Sequence, residues 1–151
     1  GAHTPKINPG YDWLGMARRR ETRFNDLTLY YEFFDELEAN KAKVVSYLQE
    51  QHDNGKCIWV YGASTKGNVI LQYLGLNHTL ISGAADRSPE KWGRYTVGTH
   101  IPIFSEEKGR AEADIFLVLP YAFLSEFLER ESEWRSRGGK FVVPLPSFQV
   151  Y

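Results

Sequence analysis

The chain has 151 residues, enough for one domain with a sizeable core. Eighteen Lys and Arg against nineteen Asp and Glu give a formal charge of −1, which excludes a general electrostatic pull toward nucleic acid or acidic lipid. Cys57 is the only cysteine, so an intramolecular disulfide and a multi-thiolate metal site are excluded, and a reducing, cytoplasmic compartment is expected. No apolar run approaches the roughly 20 residues of a membrane span, and no signal peptide is visible.

Residues 1–25 carry Pro5, Pro9 and Gly10, then Tyr11, Trp13, Leu14 and Met16, then Arg18 to Arg20. They read as a linker or arm from an upstream domain, with the basic triplet as a solvated face. Residues 26–151 read as the domain proper. It opens with a long helix over 26–53, in which Tyr30, Phe33, Phe34, Leu37, Val44, Val45 and Leu48 follow the 3.6-residue period. Asp26 can cap its start and Gly55 can end it.

From Cys57 the pattern alternates between strand and helix. Residues 57–61 form a short apolar, β-rich run, read as a buried strand. Residues 69–74 are helical, residues 80–86 a second strand rich in small side chains, and 87–100 a polar loop. A short third strand follows at 101–103, placed at a sheet edge by Pro102. Ser105 caps a helix through Ala113, residues 115–119 form a fourth strand, residues 123–137 a helix, and residues 141–143 a fifth strand. Such alternation implies right-handed crossovers. The expected fold is therefore α/β: a Rossmann-like, parallel five-stranded sheet in the order 3-2-1-4-5, flanked by helices, with a long N-terminal helix.

In such a sheet, ligands bind beyond the carboxyl ends of the strands, where the strand order reverses. The loop after the first strand, Gly62-Ala63-Ser64-Thr65-Lys66-Gly67-Asn68, sits at that point. Its Gly-x-Ser-x-x-Gly spacing is a dinucleotide fingerprint with the middle glycine replaced. Gly62 permits a tight turn, and Gly67 permits close packing of helix on strand. Ser64 and Thr65 supply hydroxyls, Lys66 a charge, Asn68 a further polar group, and the helix start free N–H groups. Asp86 closes the second strand at about the distance where an acidic residue hydrogen-bonds a ribose; it equally fits a turn cap beside Arg87 and Ser88. A Walker A loop is excluded because Asn68, not Lys, follows Gly67. A nucleophile elbow is excluded because Lys66 stands where a glycine is needed. An S-adenosylmethionine loop does not fit either, since Val60 and Tyr61 precede Gly62 and the glycines are sparse.

Several blocks then point to a family. They are Val60 to Asn68, Ala85 to Tyr95 (ADRSPEKWGRY), Gly98 to Ile103 (GTHIPI), Leu117 to Pro120 (LVLP) and Arg137 to Pro146 (RGGKFVVPLP). In this order and spacing the chain resembles the C-terminal domain of sugar C-methyltransferases, over roughly residues 16–148. That resemblance implies a parent enzyme that methylates a carbon of a nucleotide-linked keto-deoxysugar using S-adenosylmethionine. It implies upstream parts carrying zinc, the methyl donor and the acid/base residues, with no cofactor and no catalytic residue in this domain. It also implies two partners here, a nucleotide-linked sugar of thymidine diphosphate type and the upstream methyltransferase domain. The substrate contacts it suggests fall on Ser64, Thr65, Lys66, Asn68, Asp86 and Arg87. After Leu119-Pro120 the family pattern has an aromatic and then His or Asn. Tyr121 keeps the aromatic, but Ala122 follows, so a polar contact is missing there.

Other residues carry two readings each. His100, beside Gly98 and Thr99, either touches substrate or is a surface loop histidine. Trp92 and Tyr95 either stack on a base or pin their loop. Cys57, Trp59 and Tyr61 read as core, with Tyr61 near enough to the strand end to reach a ligand. Arg130, Arg135 and Arg137 read as intrahelical partners of nearby glutamates. No metal spacing links the histidines. Two further functions remain open: a stand-alone domain binding coenzyme A or a nicotinamide dinucleotide, and a structural interaction module with a decayed pocket.

Overall fold

The computed structural model describes residues 27–151. The chain divides into two compact units, residues 1–38 and 39–151. The arm expected over residues 1–25 and the cap expected at Asp26 lie outside the described residues. Helix α1 (Leu27–Asp53) begins in the first unit. There Tyr30 meets Tyr31 and Phe34 edge-on, with ring centroids 6.5 and 4.7 Å apart, and Phe33 meets Phe34 at 6.0 Å. All four rings are exposed. The helical stripe is thus buried only at Val44 and Leu48, within the second unit. Periodicity marks a face of a helix; it does not say how much of that face has a layer beneath it.

The second unit continues with β1 (Ile58–Tyr61), α2 (Thr65–Leu74), β2 (Gly83–Asp86), β3 (Ile103–Ser105), α3 (Glu106–Glu112) and β4 (Ile115–Val118). It ends with α4 (Leu124–Arg130), α5 (Ser132–Ser136), β5 (Lys140–Val143) and β6 (Gln149–Val150). The sheet has six strands in the order β3-β2-β1-β4-β5-β6. The first five are parallel, in the expected order, with Val60 level with Ala84 on one side and Leu117 on the other. The sixth is an unforeseen antiparallel edge, pairing Val142 with Val150 and Val143 with Gln149. Asn40 of α1 fixes the chain leading to it: its amide donates to Pro144 O (2.8 Å), and its oxygen accepts from Phe148 N (2.7 Å).

Strand β1 is buried on both faces, as a central parallel strand requires. Ile58 and Val60 pack with Val44, Leu48, Leu71, Leu74, Leu117 and Val142. Trp59 and Tyr61 point the other way, toward Phe116, Trp134 and Phe141. The small residues of β2 make room for that aromatic layer: a Cβ on Gly83 would lie 2.8 Å from the Trp59 ring. Cys57 precedes β1 and is half-buried against the same layer.

Four element boundaries moved, each for a local reason. Helix α2 starts at Thr65, four residues early, because Ser64 caps it. Strand β2 is confined to 83–86, since Asn77 takes the amides of Ile81 and Thr79 into a turn. Strand β3 lies at 103–105: Pro102 has no N–H to give and instead accepts from Ala84 N (2.9 Å). The single helix expected over 123–137 is a 3₁₀ turn (Tyr121–Phe123) followed by α4 and α5, broken at Glu131 (φ −99°, ψ 21°). No described helix is long and apolar enough to cross a membrane.

Candidate functional site

The loop after β1 is held by backbone and by one carboxylate. Gly62 turns at φ +90°, a conformation an L side chain rarely adopts, and its N–H donates to Ala85 O (2.7 Å). Ala63 N–H donates to Asp86 Oδ2 (2.8 Å). Ser64 is extended (φ −91°, ψ 157°), and its Oγ accepts from Gly67 N (3.0 Å). Its carbonyl takes the amide of Asn68 (3.0 Å). Among the described residues this leaves the amides of Thr65 and Lys66 without partners at the positive end of α2. Gly67 fits close under Leu119, where a Cβ would stand 2.9 Å from Leu119 Cδ1. The middle position of the fingerprint is therefore a helix cap. Ser64→Ala should cost about 1 kcal/mol of unfolding free energy by chemical denaturation. A loss below about 0.3 kcal/mol would show that other contacts hold the helix start.

Asp86 is engaged on both oxygens. Oδ1 accepts from Ser88 N (2.9 Å), and Oδ2 accepts from Ala63 N and from Lys91 Nζ (3.3 Å). Burial alone would push its carboxyl up, but the two amides and the Lys91 ammonium outweigh it and hold the group below its ordinary range. Asp86 is thus a tie between two loops. Lys91 also donates to Ala63 O (3.1 Å), and Trp92 Nε1 to Asp86 O (2.8 Å), so Trp92 pins its loop.

Beside the loop lies an open cavity of about 390 Å³ at the carboxyl ends of β1, β2 and β4. Gly62, Asp86 and Arg87 line it, together with Tyr61, Ser88, Glu106, Pro120, Phe123, Glu126, Phe127 and Arg130. Ser64, Thr65 and Lys66 are exposed at the start of α2, next to Gly62 but outside the lining. Gly67 is buried, and Asn68 is half-buried with its Oδ1 unpaired. Tyr121 is exposed beside the lining residue Pro120. His100 is not among the lining residues: it stacks flat on Tyr95 (4.3 Å, 5°) and meets His78 edge-on (5.7 Å).

A buried polar network, not foreseen from the sequence, underlies the cavity. Glu131 is 1% exposed and accepts from Tyr61 Oη (2.7 Å), Arg110 Nε (2.6 Å) and Arg110 Nη2 (2.7 Å). Arg130 donates through both Nε and Nη2 to Tyr61 Oη, and through Nη2 to Glu106 Oε1 (3.1 Å). Glu106 also takes Arg110 (3.0 Å). Arg130 therefore reaches across to β1 and α3, with its intrahelical partner Glu126 a longer 3.9 Å away. Burial works against the Glu131 carboxylate, yet Arg110, the Tyr61 hydroxyl and Arg130 hold its pKa down. Burial and the Glu131 bond push the Tyr61 phenol up. The sequence did carry a signal: Glu131 sits on the apolar stripe between Phe127 and Trp134, where a lone carboxylate needs a buried partner.

Among the described residues no three His, Cys, Asp or Glu side chains converge to hold a metal. A glycine turn, a helix start with two unpaired amides and an open cavity meet at the strand-order reversal of a mostly parallel α/β domain. Within that class, residues 13–146 match the C-methyltransferase C-terminal domain, and the chain belongs to that family. Among its relatives, C-methyltransferase NovU of Streptomyces niveus is 32% identical over 136 residues. The match covers 89% of this chain but 32% of NovU, so the chain spans about a third of its relative's length.

Proposed function

We propose that this domain helps hold a nucleotide-linked sugar for a C-methyltransferase whose methyl-transfer machinery lies in other domains. The carrying observation is the juxtaposition of two features: the unpaired amides of Thr65 and Lys66 with the Lys66 side chain, and the cavity that begins at Gly62. The first suits a phosphate and the second the group attached to it. The family resemblance implies zinc and S-adenosylmethionine in upstream parts, and for S-adenosylmethionine the loop's lack of an acidic-Gly-x-Gly pattern supports it. The 151-residue chain alone is then expected to transfer no methyl group.

Calorimetric titration with a thymidine diphosphate sugar tests this reading. Lys66→Ala should weaken binding by about tenfold, the typical effect of losing one charged hydrogen-bond donor. Unchanged affinity would remove the loop from the site. The family match favours the sugar reading over coenzyme A or a dinucleotide, whereas Asp86, held by two amides and Lys91, is equally tied in all three. A coenzyme A or NAD mass on the purified protein would reverse that preference.

A further inference from the structure

We propose that a second cavity, at the amino ends of β1, β4 and β5, binds a phosphate-like oxyanion. It lies at the opposite end of the sheet from the loop after β1, and it does not depend on the holder reading. Lys56, Asp114 and Gly139 stand just before the three strands. With Arg110, Arg137 and the Trp134 indole they line an open cavity of about 260 Å³. Charge argues first. Arg110 is already matched: Glu131 and Glu106 hold its Nε and Nη2, and Arg130 balances the second carboxylate of that pair. The surplus comes from Lys56 and Arg137, which are exposed and whose side chains have no partner among the described residues. Against them stands one carboxylate, Asp114, whose Oδ2 accepts from Cys57 N (2.8 Å). The charged neighbours along the chain, Glu112, Glu133, Arg135 and Lys140, cancel in sign, and none of them lines the cavity.

The backbone argues second. Cations at a helix carboxyl end commonly answer the helix dipole, and α3 and α5 both end here. Their closing carbonyls already have donors, however. Gly109 O accepts from Ala113 N, Ala113 O from Trp134 Nε1, Trp134 O from Arg137 N, and Arg135 O from Gly138 N. The helices are also short, at seven and five residues, so Lys56 and Arg137 exceed what those ends require. Gly138, at φ +102°, and Gly139, with no room for a Cβ beside Trp134, keep one wall free of side chains. An oxyanion can therefore come close to a planar guanidinium fork and a mobile ammonium, the usual pair for phosphate.

The test titrates the 151-residue chain with inorganic phosphate at constant ionic strength and follows backbone amide shifts by NMR. Saturable shifts are expected at Lys56, Cys57, Asp114 and Arg137 to Gly139. Lys56→Gln and Arg137→Gln should each weaken phosphate there by about tenfold, as the loss of one charged donor does. Asp114→Asn, which keeps an acceptor for Cys57 N but removes the like charge, should tighten it by about threefold. Lys66→Ala, at the other end of the sheet, should leave these shifts unchanged. Glycerol 3-phosphate separates the two sources of such an anion: tighter binding than inorganic phosphate names a ligand-borne phosphoryl group, and weaker binding names the free ion. The inference is overturned if the shifts do not saturate, if chloride reproduces them, or if they appear only at Thr65 and Lys66. It is also overturned if the double variant Lys56→Gln/Arg137→Gln binds phosphate like the wild type.

Discussion

Glu131→Ala is expected to lower the unfolding free energy by about 3 kcal/mol in chemical denaturation, the low end of what breaking a buried ion pair costs. The carboxylate is 1% exposed and answers Arg110 twice and the Tyr61 hydroxyl once. Its removal takes the acceptor from Arg110 Nε and the Tyr61 hydroxyl, while Arg110 Nη2 keeps Glu106 (3.0 Å). The Arg110 side chain keeps 33% of its surface in water, which softens the loss. A loss under about 1 kcal/mol would mean the pair behaves like an exposed one.

The same residue sets a direction for acid sensitivity. The Glu131 carboxyl titrates below its ordinary 4.5 in the folded chain, so below that pH the unfolded state binds more protons. Its stabilising contribution is complete above pH 4.5 and is lost as the pH falls through the folded value. Asp86 acts in the same sense from its ordinary 3.8. Wild-type protein should therefore lose unfolding free energy steadily as the pH drops below about 5. Glu131→Ala should flatten that acid limb. An acid limb identical in the two proteins would assign the sensitivity to other carboxylates.

Gly139→Ala should be the next most damaging change, at about 2–3 kcal/mol, or roughly a 5–10 °C fall in melting temperature. A Cβ there would lie 2.4–2.7 Å from atoms of the Trp134 indole. That ring cannot retreat. Its Nε1 donates to Ala113 O (3.0 Å), and it packs against Phe116 and Phe141 with centroids 4.6 and 5.4 Å away. The neighbouring Gly138 has open space but φ +102°. Gly138→Ala therefore costs only the backbone strain, about 1 kcal/mol. Equal effects at the two positions would mean that the α5–β5 connection relaxes around either methyl group.

Much of the fold was legible in the chain, and the particular residues show why. Ile58 to Tyr61 is a short apolar run with β-rich side chains, and β4 and β5 repeat the pattern. Alternation with helices and right-handed crossovers then make a parallel doubly wound sheet the expected arrangement of β1 to β5. Strand β6 escaped because two residues carry no period, and its place depends on Asn40, more than 100 positions earlier in the chain, taking Pro144 and Phe148. The loop residues Gly62, Ser64 and Gly67 were visible through their spacing. Of the candidates, Gly62, Asp86 and Arg87 face the cavity, and Ser64 to Asn68 form the adjoining helix start. His100 stands apart on Tyr95.

By itself, then, the sequence determined the parallel α/β order, the glycine turn at the strand-order reversal and membership of the C-methyltransferase C-terminal family. These depend on local period and spacing, which a chain carries whether or not it is folded. Only the tertiary structure decided that Ser64 is a cap, that Asp86 ties two loops, and that Tyr61, Glu106, Arg110, Arg130 and Glu131 form one buried network under an aromatic-walled cavity. Those residues lie on β1, α3 and α4–α5, far apart along the chain. Which donor meets which acceptor depends on crossovers that bring these elements to one end of the sheet, and no spacing rule encodes that meeting.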